Sequence, residues 1–310
     1  MAGALIRRAG QISVALVVLS FAAYVAIGLM PGDPIDLAIA ADPRMTALDA
    51  ERLRALHGLD RPIIARWWDW FLRAAAGDFG HSRLYARPVA AVLGPALGGT
   101  LVLVGIALLI AVGGGVALGM LAALRPRSGP AVEALSVLAQ AVPAFWLGIL
   151  LIIGFALGLG WLPAGGVPDQ GQAAWRFLVL PVATLAIANL AAYARHTTAA
   201  MVGVLSAPWI VTARARGAGE ARIAWTHALP NAAVPILQVA ALDVGALMGG
   251  ALVTETVFAR PGMGRLLYEA VMGNDHPLAL AAVLLVALAT MLATAAADAA
   301  QRAIDPRIDG

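Results

Sequence analysis

Three absences narrow what this 310-residue chain can be. It has no cysteine, which removes disulfides, thiolate metal sites and Cys nucleophiles but leaves the compartment open. It has no lysine; every basic residue is Arg apart from the histidines, a trait of genome composition rather than of chemistry. Charge of either sign is scarce, at 13% of residues, about half the share usual in a soluble globular domain. A soluble chain of this length needs a charged coat, so lipid must solvate part of the surface. No basic tail and no zinc-type spacing points to nucleic acid. A Gly-x-x-x-x-Gly-Lys phosphate loop is also absent, so any nucleotide is hydrolysed elsewhere. A His-Glu-x-x-His zinc protease pattern is missing as well, and Ser20 and Ser136 have no histidine in an apolar span to activate them.

What the chain has in abundance is apolar sequence, 61% of residues. Crossing the hydrocarbon core takes about 20 mostly apolar residues, at about 1.5 Å of rise each. Six stretches qualify: 12–30, a run within 88–124 starting near Thr100, 132–159, 177–194, 232–253 and 278–297. The fold class is therefore all-α, an integral membrane protein with about six transmembrane helices. Arg7 and Arg8, Arg125 and Arg127, and then Arg195, Arg214, Arg216 and Arg222 mark alternate links. The positive-inside rule places those links and both termini in the cytoplasm, which requires an even number of spans.

Two links carry structure of their own. Between the first two spans, Thr46-Ala47-Leu48-Asp49 reads as a capping box for a short helix ending at Gly58. Asp60 and Pro62 then open a second helix, with Trp67, Trp68, Trp70 and Phe71, which stops near Gly77 and packs over the bundle. The link over 201–235 reads as a helix from Pro208, a turn at Gly217-Ala218-Gly219 where positive φ is cheap, and a second helix from Glu220 closed by Pro230. Two short helices about a glycine turn form a protrusion suited to another protein's groove. Gly113-Gly114-Gly115 lies within an apolar helix and permits close helix packing.

The stretch Thr212-Ala213-Arg214-Ala215-Arg216-Gly217-Ala218-Gly219, running on to Leu229-Pro230, resembles the cytoplasmic EAA loop of ABC importer permeases. Similarity to the B-type subunit of the dipeptide/oligopeptide/nickel family extends over nearly the whole chain. It is carried by Pro31-Gly32-Asp33-Pro34, Gly58-Leu59-Asp60-Arg61-Pro62, Gly77-Asp78-Phe79-Gly80, Pro143-Ala144-Phe145-Trp146, Leu162-Pro163-Ala164-Gly165-Gly166 and the run from Glu255 to Gly264. Val211 stands where the general loop has Glu, and His227 where it often has Ile.

The resemblance implies a transport subunit, not an enzyme, in the bacterial inner (cytoplasmic) membrane. It implies a second homologous permease, two ATPase subunits that carry ATP and Mg, and an extracytoplasmic solute-binding protein, with no cofactor on this chain itself. Peptides or a related small solute would be carried. Thr212, Ala213, Arg214, Arg216, Gly217, Ala218, Gly219, Glu220, Leu229 and Pro230 would couple the ATPase to the membrane helices. Residues 1–98 would hold the first span and the extracytoplasmic helices, and residues 99–310 the permease core.

Asp243 lies near the centre of the fifth span, where a carboxylate costs about 2.5–3.5 kcal/mol and usually faces a cavity or a partner. It lines the pathway or else hydrogen-bonds to Asn189 or Gln140, and with these two and Glu255 it forms the expected pathway set. An ion-driven secondary transporter, the alternative, calls for an inverted repeat and matched intramembrane charges, and neither is visible. A bare channel would leave the patterned loop at 201–235 unexplained.

Overall fold

The computed structural model describes residues 2–29, 61–125 and 127–304, and these are mostly helical. Among them, four unbroken helices are long and apolar enough to span a membrane: 6–28, 89–124, 176–205 and 276–299. Two bent pairs bring the number to six if each counts as one span. The capping box at residues 46–49 and the segments 31–34 and 58–60 lie outside the described residues.

The chain divides into two compact units. The first comprises residues 1–98 and 262–289. It contains α1 (Ala2–Gly28), α2 (Ile63–Ala75), a two-stranded antiparallel ribbon of β1 (His81–Ser82) and β2 (Arg87–Pro88), and α10 (Met263–Met272). It also contains the start of α3 (Val89–Leu124) and the first half of α11 (His276–Ile304), whose second half belongs to the other unit. The tryptophan helix packs as its composition predicts. Trp67 and Trp70 are buried against Leu280, and Trp67 Nε1 donates to Ser20 Oγ at 3.1 Å, while Trp68 stays exposed. The chain leaves α2 at Gly77, whose φ of +87° suits the turn. Asp275 organises the far end of this unit. Its carboxylate accepts from Ser82 Oγ at 2.6 Å, Leu84 N at 3.0 Å and Leu278 N at 3.3 Å, tying the ribbon to the start of α11.

The second unit comprises residues 99–261 and 290–310. It holds the rest of α3, then α4 (Gly129–Ala141), α5 (Ala144–Leu151) continued by a π-helical segment Ile152–Gly158, and α6 (Arg176–Leu205). α7 (Pro208–Ala215), α8 (Glu220–Arg222), a second π segment Ile223–Ala228 and α9 (Leu229–Val257) follow. The expected single span over 132–159 is broken. Val142 adopts φ −92°, ψ 122° before Pro143, as pre-proline crowding dictates, and the axis turns by 97°. The expected closure at Pro230 does not occur either. α8, its π segment and α9 run on without a break, because Pro230 falls in the first turn of α9, where its missing N–H costs little. That rod then bends by 44° between Ala241 and Asp243.

The glycine stripe in α3 does bring helices close. A Cβ on Gly115 would lie 2.3 Å from Tyr193 Cβ, and one on Gly119 would lie 2.5 Å from Thr197 Cβ, so α6 sits against bare backbone. A tighter constraint holds the loop after α5. Gly166 N donates to Phe258 O at 2.8 Å, and a Cβ on Gly165 would fall 2.0 Å from that same carbonyl oxygen. The Cβ would be fixed to the chain and the atoms it meets are backbone, so nothing yields without moving the chain. Gly165→Ala is expected to cost about 2–3 kcal/mol of stability, read as a lowered thermal midpoint in detergent. Gly160→Ala, at φ +64° but in open space, is expected to cost only about 1 kcal/mol. Equal shifts for the two variants would contradict the close approach.

Candidate functional site

The loop at 201–235 is built as a rigid elbow. Ala207 is extended, at φ −71°, ψ 144°, and Pro208 occupies the start of α7, where a fixed φ favours the first turn. Ile210 on α7 is fully buried and anchors the helix. The helix then ends in a Schellman motif: Gly217 N donates to Arg214 O at 2.9 Å and Ala218 N to Ala213 O at 3.1 Å. Gly217 supplies the left-handed residue, at φ +85°. Gly219 is extended and starts α8 at Glu220, an acid at the positive end of the helix dipole. Across the turn, Arg214 Nε and Nη2 donate to the two Glu220 carboxylate oxygens at 2.9 and 3.1 Å. The Arg214 hydrogen bond holds the Glu220 carboxyl below its ordinary value, and the same bond raises the Arg214 guanidinium.

Behind the elbow, Ala224 and Ala228 pack with Met120, Met201, Ala232 and Ile236 in one buried cluster. The turn is thereby bonded to α7 on one side and to the α8–α9 rod on the other. Thr212 Oγ1 approaches Pro208 O at 3.4 Å, Leu229 is half-buried and Pro230 is exposed within the rod. Of the expected coupling residues, those from Thr212 to Glu220 form this one elbow, whereas Leu229 and Pro230 belong to the shaft that it turns.

Asp243 is half-buried at the bend of that shaft. The two partners expected for it bond elsewhere. Asn189 Nδ2 donates to Leu185 O at 2.8 Å and Gln140 Nε2 to Ser136 O at 3.0 Å, each to the carbonyl four residues back. The neighbour of Asp243 is instead Tyr193, whose buried hydroxyl faces the carboxylate without a hydrogen bond of normal geometry. Sequence reasoning missed this residue. The available signal was the α3 glycine stripe: it admits Tyr193 Cβ against Gly115 and so fixes where the ring points.

Glu255 is fully buried, so within this chain it offers no surface to a mouth or pathway. Thr100 Oγ1 donates to its Oε1 at 2.5 Å, and the half-buried Arg260 lies within its field. Burial lowers the Arg260 guanidinium from its ordinary value and Glu255 opposes that shift. The arrangement ties the end of α9 to α3, and Phe258, buried against Gly148, closes the same corner.

The chain matches the family described as "Binding-protein-dependent transport system inner membrane component" over residues 115–310. It is 36% identical to the glutathione transport system permease protein GsiC of Escherichia coli K12 over 295 residues, 94% of each chain. It is 34% identical over 305 residues, again 94% of each, to a Brucella ovis protein named as a peptide permease. Among solved structures it is similar to an inward-facing form of the MetNI methionine ABC transporter. That match has a TM-score of 0.58 at 20% identity, over 69% of this chain and 96% of that one, and so speaks for the fold alone. With these matches lying across the elbow, the rod and the buried corner alike, the chain belongs to the binding-protein-dependent inner-membrane components, the permease subunits of ABC importers.

Proposed function

We propose that this chain forms half of the translocation pathway of an ATP-driven importer of small peptides, paired with a second permease. Two ATPase subunits bind ATP and Mg beneath it, and a solute-binding protein delivers substrate from outside. The peptide class is supported by the names of relatives that share 34–36% identity over 94% of the chain. The observation that carries the coupling role is the elbow itself. A turn locked by its Schellman bonds and by Arg214–Glu220 continues without interruption into the rod that bears Asp243. A push on the residues Thr212 to Glu220 is therefore a push on an intramembrane helix rather than on a loose tether.

Asp243 then acts as a pathway group at the bend, with Asn189 on α6 and Gln140 on α4, in the adjoining broken span, contributing beside it. Glu255 holds the outer corner in shape instead of touching solute. A carboxylate at the bend suits the ammonium group of a peptide. Asp243→Asn removes the charge at constant shape, so assembly should persist while peptide uptake into ATP-loaded vesicles falls about tenfold. Uptake of di- and tripeptides at the wild-type rate would refute the pathway role of Asp243.

A further inference from the structure

The elbow encloses a concavity of about 470 Å³, and its lining separates the basic residues of the loop into two kinds. Arg214 is already spent inside the turn, both of its bonds going to Glu220. Arg216 and Arg222 line the concavity with Trp209, Thr212, Ala218 and His227. Both arginines are exposed, and neither forms an ion pair among the described residues. Between residues 206 and 230 the chain has one acid, Glu220, and it is occupied.

The geometry points to this concavity as the receptor for an acidic side chain of the ATPase partner, seated between Arg216 and Arg222. The inference rests on the ATPase-partner reading above. Charge decides the occupant: two arginines line one recess whose only neighbouring acid is already paired, and a carboxylate matches a guanidinium fork better than any neutral group. The recess also strengthens the pairing. It offers two cations to one carboxylate, where an ordinary surface pair offers one. Preorganisation adds to this, because the Schellman bonds and the Arg214–Glu220 pair hold the walls before any partner arrives. Arg222 is the last residue of α8 and sits on the rod that reaches Asp243, so a carboxylate gripping it would pull along a continuous helix. Contact is then mutual: the permease protrudes into its partner and in turn receives a side chain from it.

The absence of lysine gives a direct test. Arg216→Lys or Arg222→Lys introduces the only lysine amine in the chain while keeping the positive charge. The tagged full complex in native membranes is treated with a carbodiimide, which joins an amine to a touching carboxylate, and the joined peptides are identified by mass. The expected product links the new lysine to an Asp or Glu of the ATPase. Separately, Arg216→Glu/Arg222→Glu should cut the ATPase recovered with the membrane-inserted chain about tenfold, and reversing the identified acid should restore it. The proposal is overturned if the lysine couples only to carboxylates of this chain, such as Glu220 or Asp305, or only to lipid. Undiminished recovery with the double reversal overturns it as well. If even the wild-type chain brings no ATPase, the importer reading fails, a result distinct from these.

Discussion

Replacing Gly217 with proline is expected to abolish transport-driven ATP hydrolysis while leaving the protein in the membrane. The native φ is +85°, and proline fixes φ near −65°. Proline also lacks the N–H that Gly217 donates to Arg214 O, so the substitution removes one of the two Schellman bonds as well as the turn. The local cost, about 3 kcal/mol or more, exceeds what an exposed turn can absorb. Arg214 and Glu220 then separate, and the elbow no longer transmits a push to the rod. Space is not the obstacle, since a Cβ at this position meets nothing within 4 Å. Gly217→Asn should therefore retain much of the coupling, because Asn tolerates the left-handed region at a cost of about 1 kcal/mol. ATPase rates of the reconstituted complex, with and without substrate-loaded binding protein, measure the effect. Substrate-stimulated hydrolysis at the wild-type rate in the proline variant would refute coupling through this turn.

The second large effect belongs to Glu255. Glu255→Leu removes the carboxylate that accepts from Thr100 and leaves Arg260 half-buried without its counter-charge. Removing the charged acceptor of a buried hydrogen bond costs about 1.5–3 kcal/mol. Glu255→Gln should cost less, as the amide oxygen still accepts from Thr100. Thr100→Val combined with Glu255→Leu should fall short of the sum of the single losses, because the shared hydrogen bond is lost once. Thermal unfolding in detergent, followed by intrinsic fluorescence, provides these differences. An unshifted midpoint for Glu255→Leu would mean that this carboxylate does not hold the corner.

Apolar length and Arg placement made the helical membrane class legible, since both depend on composition over long windows. The helix–turn–helix elbow was legible for a similar reason: Pro208, Gly217 and Glu220 each act through the backbone within a few residues. Events that depend on distant neighbours were less accessible. Residues 132–159 read as one span by apolar length, and the 97° angle at Val142–Pro143 is not written in composition. Pro230 reads as a stop, yet the π segment before it changes which N–H groups need partners and lets the helix continue. Asp243 was conspicuous from its position alone, whereas Tyr193 was not, because only the approach of α6 to Gly115 brings it there. Glu255 read as a pathway residue at the outer end of its helix, and only the fold shows that it is fully buried and bonded to Thr100, far away in sequence.

The most direct test of the account is to extract the tagged chain gently from its native membranes and identify by mass what accompanies it. The account predicts a second permease together with ATPase subunits carrying a phosphate-binding loop, and solute movement in liposomes only when ATP is supplied. A chain that comes out alone, and moves solute without ATP, would contradict it.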